Sequence, residues 1–169
     1  MKKLLILISL ISIHLHAQNG ISFSVLHDGK LGLGLDKKHL NDRPTLDLII
    51  NMNWEGKQFQ HYYFAIQTQF ETANLYDGYF KRYSVHGIWN FNKLILDKLN
   101  IGMGVGIGVI HRERTDGLGN YSGTIEISYP IFRDLSIINK NEWVRRPDLA
   151  TPKLGYNFSI GLKYKPIHL

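Results

Sequence analysis

Ser84-Val85-His86 is the spacing in this sequence best suited to nucleophilic chemistry. A serine hydroxyl beside an imidazole base becomes a nucleophile when an acid orients the ring, and Glu71 is the candidate acid from the preceding strand. Residues i and i+2 share a face only on an extended strand, so the pair faces whatever that strand's polar side faces. The remaining ionisable candidates, Asp47, His61, Glu71, Arg82, His86, Glu126, Lys140, Glu142 and Lys163, sit in the polar phase of alternating segments, as do Asp28 and Lys30. Buried together they require one another as partners, which predicts a paired polar network. Eight histidines raise the question of a metal, but His14, His16, His27, His39, His111 and His168 are scattered. His61 and His86 fall on one face of neighbouring strands about two residues out of register, and no clustered ligand spacing appears. Gly102, Gly104, Gly106 and Gly108 recur strictly every second residue with no helix signal after them, so they are no phosphate loop. No catalytic, metal or cofactor site is expected.

The elements that position these residues follow from composition and period. The chain has 169 residues, room for one domain, with 44% hydrophobic residues, no cysteine and a net charge of +6. Absence of cysteine excludes disulfides, thiolate metal sites and an acyl-cysteine lipoprotein anchor. Lys2 and Lys3 precede an apolar stretch from Leu4 to Ile13 that ends at Ala17-Gln18. This is the form of a secretory signal peptide over 1–17, too short for a helical span. Its removal would take Lys2 and Lys3 and lower the charge from +6 to +4. The mature domain is then 18–169.

That domain alternates with period two, the mark of strands with unlike faces. Leu99, Ile101, Met103, Val105, Ile107 and Val109 oppose the four glycines, and Leu154, Tyr156, Phe158, Ile160, Leu162 and Tyr164 oppose Lys153, Gly155, Asn157, Ser159, Gly161 and Lys163. Eight strands are expected: 20–36, 45–54, 58–71, 79–91, 98–111, 121–129, 134–145 and 153–165. The first is read as one long strand despite Asp28-Gly29, because Ile21, Phe23, Val25, Leu31, Leu33 and Leu35 then share a face. Glu55-Gly56-Lys57 and 130–133 read as short turns. Segments 37–44, 72–78, 112–120 and 146–152 read as longer loops, each of about seven to nine residues, at the opposite end. Segment 92–97 is read as a turn, although its apolar residues suit a strand. The glycines leave room for Arg82, Tyr63 or Phe80 to fill the interior.

So high a strand content suits a closed membrane barrel, where every backbone group must pair within the sheet. A soluble ligand-binding barrel would alternate too, with its apolar face inward. Here the polar face of Gly, Ser, Asn, Gln and charges suits a small lumen instead. Trp54, Trp89, Phe91, Tyr129 and Tyr164 gather toward the short-turn end of the apolar face. Tyr62, Phe70, Tyr79, Tyr83, Tyr121, Trp143 and Tyr156 gather toward the loop end, giving two interfacial girdles. The mean hydropathy of −0.16, low for a membrane protein, is what alternation between lipid and polar lumen yields.

On this pattern over residues 20–165 the chain resembles small eight-stranded outer-membrane barrels of the OmpA-transmembrane-domain and OmpX type. Ala17-Gln18 and Asp77-Gly78-Tyr79-Phe80-Lys81-Arg82-Tyr83 also look like outer-membrane barrels of Bacteroidota. The resemblance implies an all-β, eight-stranded antiparallel up-and-down transmembrane β-barrel in a Gram-negative outer membrane. Its partners would be outer-membrane lipid or lipopolysaccharide, the insertion machinery and a larger envelope complex. Such barrels usually end on an aromatic residue, whereas here Tyr164 is followed by Lys165-Pro166-Ile167-His168-Leu169. Pro166 cannot extend a ladder, so the last strand is expected to stop near Tyr164. Lipid A deacylases and palmitoyltransferases resembling this fold pair Ser with His near the outer interface, but no His-x-Ser-Asn run is present. The expected loops carry seven bases against six acids, no nucleic-acid footprint. Arg145, Arg146, Arg112 and Arg114 are the candidates for lipid phosphates. The expected function is non-enzymatic, with a self-filled lumen; a lipid-modifying enzyme and a soluble periplasmic binding barrel are the alternatives.

Overall fold

All eight expected strands form, and each pairs with its successor in sequence. The computed structural model describes residues 18–29, 46–75, 78–92, 98–112, 115–148 and 153–168. The strands are β1 (Gln18–Asp28), β2 (Asp47–Gly56), β3 (Tyr62–Leu75), β4 (Gly78–Asn92), β5 (Asn100–Arg112), β6 (Thr115–Pro130), β7 (Leu135–Arg146) and β8 (Lys153–His168). β1 pairs antiparallel with both β2 and β8, which closes the sheet into a barrel and removes its edges. The alternation decides the faces: inward positions are buried, while outward positions such as Val105, Ile107 and Leu162 are exposed.

Strand ends depart from expectation where composition mimics loops. The strand assigned to 20–36 ends at Asp28, and residues 30–36 lie outside the described residues, as does the leader 1–17. β3 begins at Tyr62 rather than 58, because Phe59 and Tyr62 exchange both backbone hydrogen bonds across a tight turn with Gln60 at φ 27°. The loop expected at 112–120 is largely strand: Thr115, Leu118, Gly119 and Asn120 pair with β5. Gly and Asn are poor strand formers, but the ladder offered by β5 overrides a weak propensity. Between the Ile110–Leu118 and Arg112–Thr115 pairs β6 carries an extra residue, and Gly117 takes the left-handed φ of 53° that this bulge needs. The expected 72–78 loop shrinks likewise, since β3 reaches Leu75 and β4 starts at Gly78. Only positions 76–77 and 113–114 therefore separate these pairs of strands. Segment 93–97 lies outside the described residues.

The C-terminus also differs. β8 runs through Pro166 to His168. Phe23 pairs with Tyr164 but Ile21 with Ile167, so β8 bulges over 165–166 and Pro166 sits where no ladder donor is required.

Candidate functional site

The inward residues of the middle strands converge on Arg82. Its Nε lies 2.8 Å from Glu71 Oε2 on the neighbouring β3, and its Nη2 lies 2.5 Å from Glu142 Oε2 on β7. Lys140 Nζ donates to Gln67 Oε1 at 2.7 Å and to Gln69 Oε1, with Glu126 Oε1 at 3.5 Å. Gln69 reaches Glu142, and Gln67 donates to Glu126 at 2.9 Å and Asn53 at 2.8 Å. From Asn53 the bonds continue through Ser22 to Glu55, which accepts from Lys165 at 2.7 Å and lies 3.3 Å from Lys163. One chain of polar contacts thus runs from Glu71 on β3 to Lys165 on β8. Arg82, Lys140, Glu71 and Glu142 are almost wholly buried, a state charges tolerate only with such partners.

Asp47, Glu71, Arg82, His86, Glu126, Lys140 and Glu142 are all buried in the lumen, and Lys163 is partly so. His61 is not among them: it stands exposed in the turn before β3, because that strand starts one residue later. Glu55, expected in a turn, belongs to β2 and points inward. Ser22, Asn53, Gln67 and Gln69 carry no charge to single them out in the sequence, although they lie in the inward phase of the same strands.

Room for this network comes from β5. A Cβ on Gly106 would meet the His86 ring, one on Gly104 the Gly87 carbonyl and Ile88, and one on Gly108 the Tyr83 carbonyl, Asn120 and Ser84. The space is therefore taken by side chains of the flanking strands β4 and β6. The atoms nearest the missing Cβ positions belong to His86, Gly87, Ile88, Asn90, Ser84, Tyr83, Asn120 and Glu126, rather than to the Arg82, Tyr63 or Phe80 side chains expected there. Above it Ala73, Phe80, Ile110 and Val144 form an apolar layer toward the hairpins that join β3 to β4 and β5 to β6.

Ser84 Oγ lies 2.9 Å from His86 Nε2. The acid nearest His86 is Glu142, its Oε1 3.7 Å away, and that approach is to the same nitrogen. Nδ1 of His86 has no hydrogen-bond partner. A relay needs the serine and the acid on opposite ring nitrogens. Glu71, the acid expected to serve the pair, is held by Arg82 instead.

At the hairpin end Asp148, in the turn after β7, accepts two hydrogen bonds from Arg146 at 2.9 and 2.8 Å and lies 3.2 Å from Arg112 Nε. Burial opposes ionisation, but the Arg146 hydrogen bonds and the charges of Arg146 and Arg112 outweigh it and hold the carboxyl below its usual range. Arg146 also lies 4.6 Å over the Phe80 ring. Arg145 points the other way, 5.5 Å over the Tyr121 ring on the outer face. Adjacent strand residues cannot share a face, so the four arginines expected to meet lipid phosphate divide: Arg145 faces outward, Arg112 and Arg146 hold Asp148, and Arg114 lies outside the described residues.

The outer face is apolar and ringed by aromatics. Trp54, Trp89, Phe91, Tyr129 and Tyr164 stand near the turn end, and Trp143 and Tyr156 nearer the hairpin end. Tyr62 belongs with the first group, since it opens β3 and pairs with Phe91. Several rings also contact across strands: Phe64 with Trp89 at 5.1 Å, Phe70 with Tyr83 at 5.1 Å and Trp143 with Tyr156 at 5.4 Å. Two outward polar residues satisfy themselves: Asn141 donates to Asn139 at 2.7 Å and accepts from Tyr156 at 2.6 Å, while Asn139 donates to the Ser159 carbonyl.

Solved structures similar to this barrel include small membrane barrels. The outer membrane protein Ail of Yersinia pestis, determined in a phospholipid bilayer nanodisc, matches with a TM-score of 0.56 at 13% identity over 88% of this chain and 99% of that one. A de novo designed transmembrane β-barrel gives 0.55 at 12% identity, covering 88% and 98%. Neisserial surface protein A gives 0.53 at 11%, covering 86% and 95%. No protein-family model matches the sequence, and no curated protein matches it. The fold is that of the small eight-stranded transmembrane β-barrels.

Proposed function

We propose that the protein is an integral outer-membrane barrel of the OmpA-transmembrane-domain and OmpX kind, of Bacteroidota type, exported by a signal peptide cleaved after Ala17. Its role is non-enzymatic: it stabilises the envelope or docks to a larger envelope assembly, with lipopolysaccharide and the insertion machinery as further partners. The observation that carries this reading is the partition of side chains. Each described Asp and Glu side chain on the strands lies inward with polar neighbours, while the outward face between two aromatic bands is mainly apolar, with Asn139 and Asn141 hydrogen-bonded there. A soluble ligand-binding barrel requires the reverse. Eight strands enclose space for side chains alone, and the Arg82, Lys140 and Gln67 contacts span it, which supports a lumen filled by the chain itself. The one-sided contacts of His86 favour the non-enzymatic role.

Cell fractionation and gel migration test this. The protein should partition with outer membranes and migrate faster unheated than boiled, as folded membrane barrels do. In planar bilayers it should give no reproducible conductance steps. Recovery in the soluble periplasm would overturn the membrane reading, and single-channel steps would overturn the filled lumen.

A further inference from the structure

On the outer face at the hairpin end, Lys81 of β4 and His111 of β5 are direct cross-strand partners, with Thr72 of β3 beside Lys81. Below them along the same strands Phe70, Tyr83 and Val109 form the next row, and Thr68, Val85 and Ile107 the row after. These two rows, with Ile50 and Met52 of β2, line a groove of about 660 Å³ on the outside of the barrel. An amphipathic surface results, cationic and hydroxylated at one end and apolar along its length.

The charge around the groove selects the occupant. Every described Asp and Glu side chain of the strands points inward, so among the described residues none of them neutralises this outer patch. Lys81 makes no ion pair among the described residues; its Nζ stands 5.6 Å from the Tyr79 ring. The His111 ring is set edge-on against Tyr83, 6.0 Å between centroids, which orients it above the groove. A hydrated ion would leave the apolar rows uncovered, and a neutral chain would leave the Lys81 ammonium unpaired. A molecule with a phosphate at one end and a hydrocarbon chain at the other satisfies both.

We propose that the outer face of β2–β5 is a binding site for a phosphate-bearing anionic lipid, its phosphate on Lys81 and His111 and an acyl chain in the groove. The site rests on the membrane reading above and adds to it a particular lipid seat. It lies on strands other than those of Arg145, so the two cationic positions act separately.

Full-length protein in vesicles of phosphatidylcholine with a minor share of phosphatidylglycerol, released for native mass spectrometry, tests it. Wild type should retain phosphatidylglycerol in preference to phosphatidylcholine. Lys81→Gln with His111→Gln should lower that preference roughly tenfold, the scale of one or two charge-assisted hydrogen bonds. Thr68→Trp, which fills the groove without altering charge, should also release the lipid, whereas Arg145→Gln should retain it. Wild-type retention by the Lys81/His111 double variant or by Thr68→Trp would overturn the site. Equal loss in Arg145→Gln would overturn it too, by showing a diffuse charge effect. Insertion without lipid preference would sink the lipid site alone. Failure of the wild type to become heat-modifiable in the vesicles would sink the membrane reading with it.

Discussion

Arg82 and Glu142 meet at 2.5 Å across the lumen although 60 residues separate them in the chain. Glu71 holds the other side of the guanidinium, so one cation serves two buried carboxylates. Replacing Arg82 by Met should cost about 3–5 kcal/mol, because it removes from two buried acids the guanidinium they share. Urea titration of the folded barrel in lipid would read the loss. Adding Glu71→Gln and Glu142→Gln to Arg82→Met should recover much of it; no recovery would mean that the pairing is not what holds these strands.

Gly106 is required by its neighbour. The three atoms nearest a Cβ there all belong to the His86 ring, whereas at Gly108 the nearest is the Tyr83 carbonyl oxygen. Gly106→Ala should destabilise by about 1–3 kcal/mol, the usual range for overpacking. The His86→Ala background should relieve Gly106→Ala but leave Gly108→Ala impaired. Outward Gly119, with open space where its Cβ would stand, should tolerate alanine. Folded fractions by gel shift would rank the four variants.

Acid should loosen the hairpin end. Asp148 is held below its ordinary pKa by Arg146 and Arg112 against the opposing effect of burial. A carboxyl with a depressed folded pKa contributes stability that is fully present above its unfolded pKa of about 4 and is lost as pH falls through the folded one. Wild type should therefore lose its advantage over Asp148→Asn on acidification below about pH 4. Unfolding titrations at neutral and acid pH would reveal a constant difference if the ion pairs contribute nothing.

Ser84→Ala should leave the mass of host lipid A unchanged, since the serine and the nearest acid both address Nε2 of His86 and Nδ1 has no partner. A change in acyl-chain count that depended on Ser84 would restore the lipid-modifying alternative.

How much of the fold was legible follows from what period two records. Tyr83, Val85 and Trp89 against Arg82, Ser84 and His86 told outside from inside, because a strand can present only two faces. The same rule, applied to neighbours, would have separated Arg145 from Arg146. Strand ends were less legible. The segment 115–120 carries loop-like residues, yet Thr115, Leu118, Gly119 and Asn120 join the ladder, since an exposed partner edge in β5 outweighs local preference. Pro166 reads in sequence as a stop, yet a bulge lets β8 pass it.

The alternation by itself determined the number of strands, the closed all-β class and the set of side chains available to each face, because side-chain direction is a local property of extended backbone. Only the tertiary structure decided which of those inward groups meet. Pairing register and barrel closure bring β3, β4 and β7 together around Arg82, give Glu142 rather than Glu71 to the His86 ring, and leave His61 outside. Those distances depend on how every strand is staggered against the next, a property of the whole closed sheet that no single segment carries.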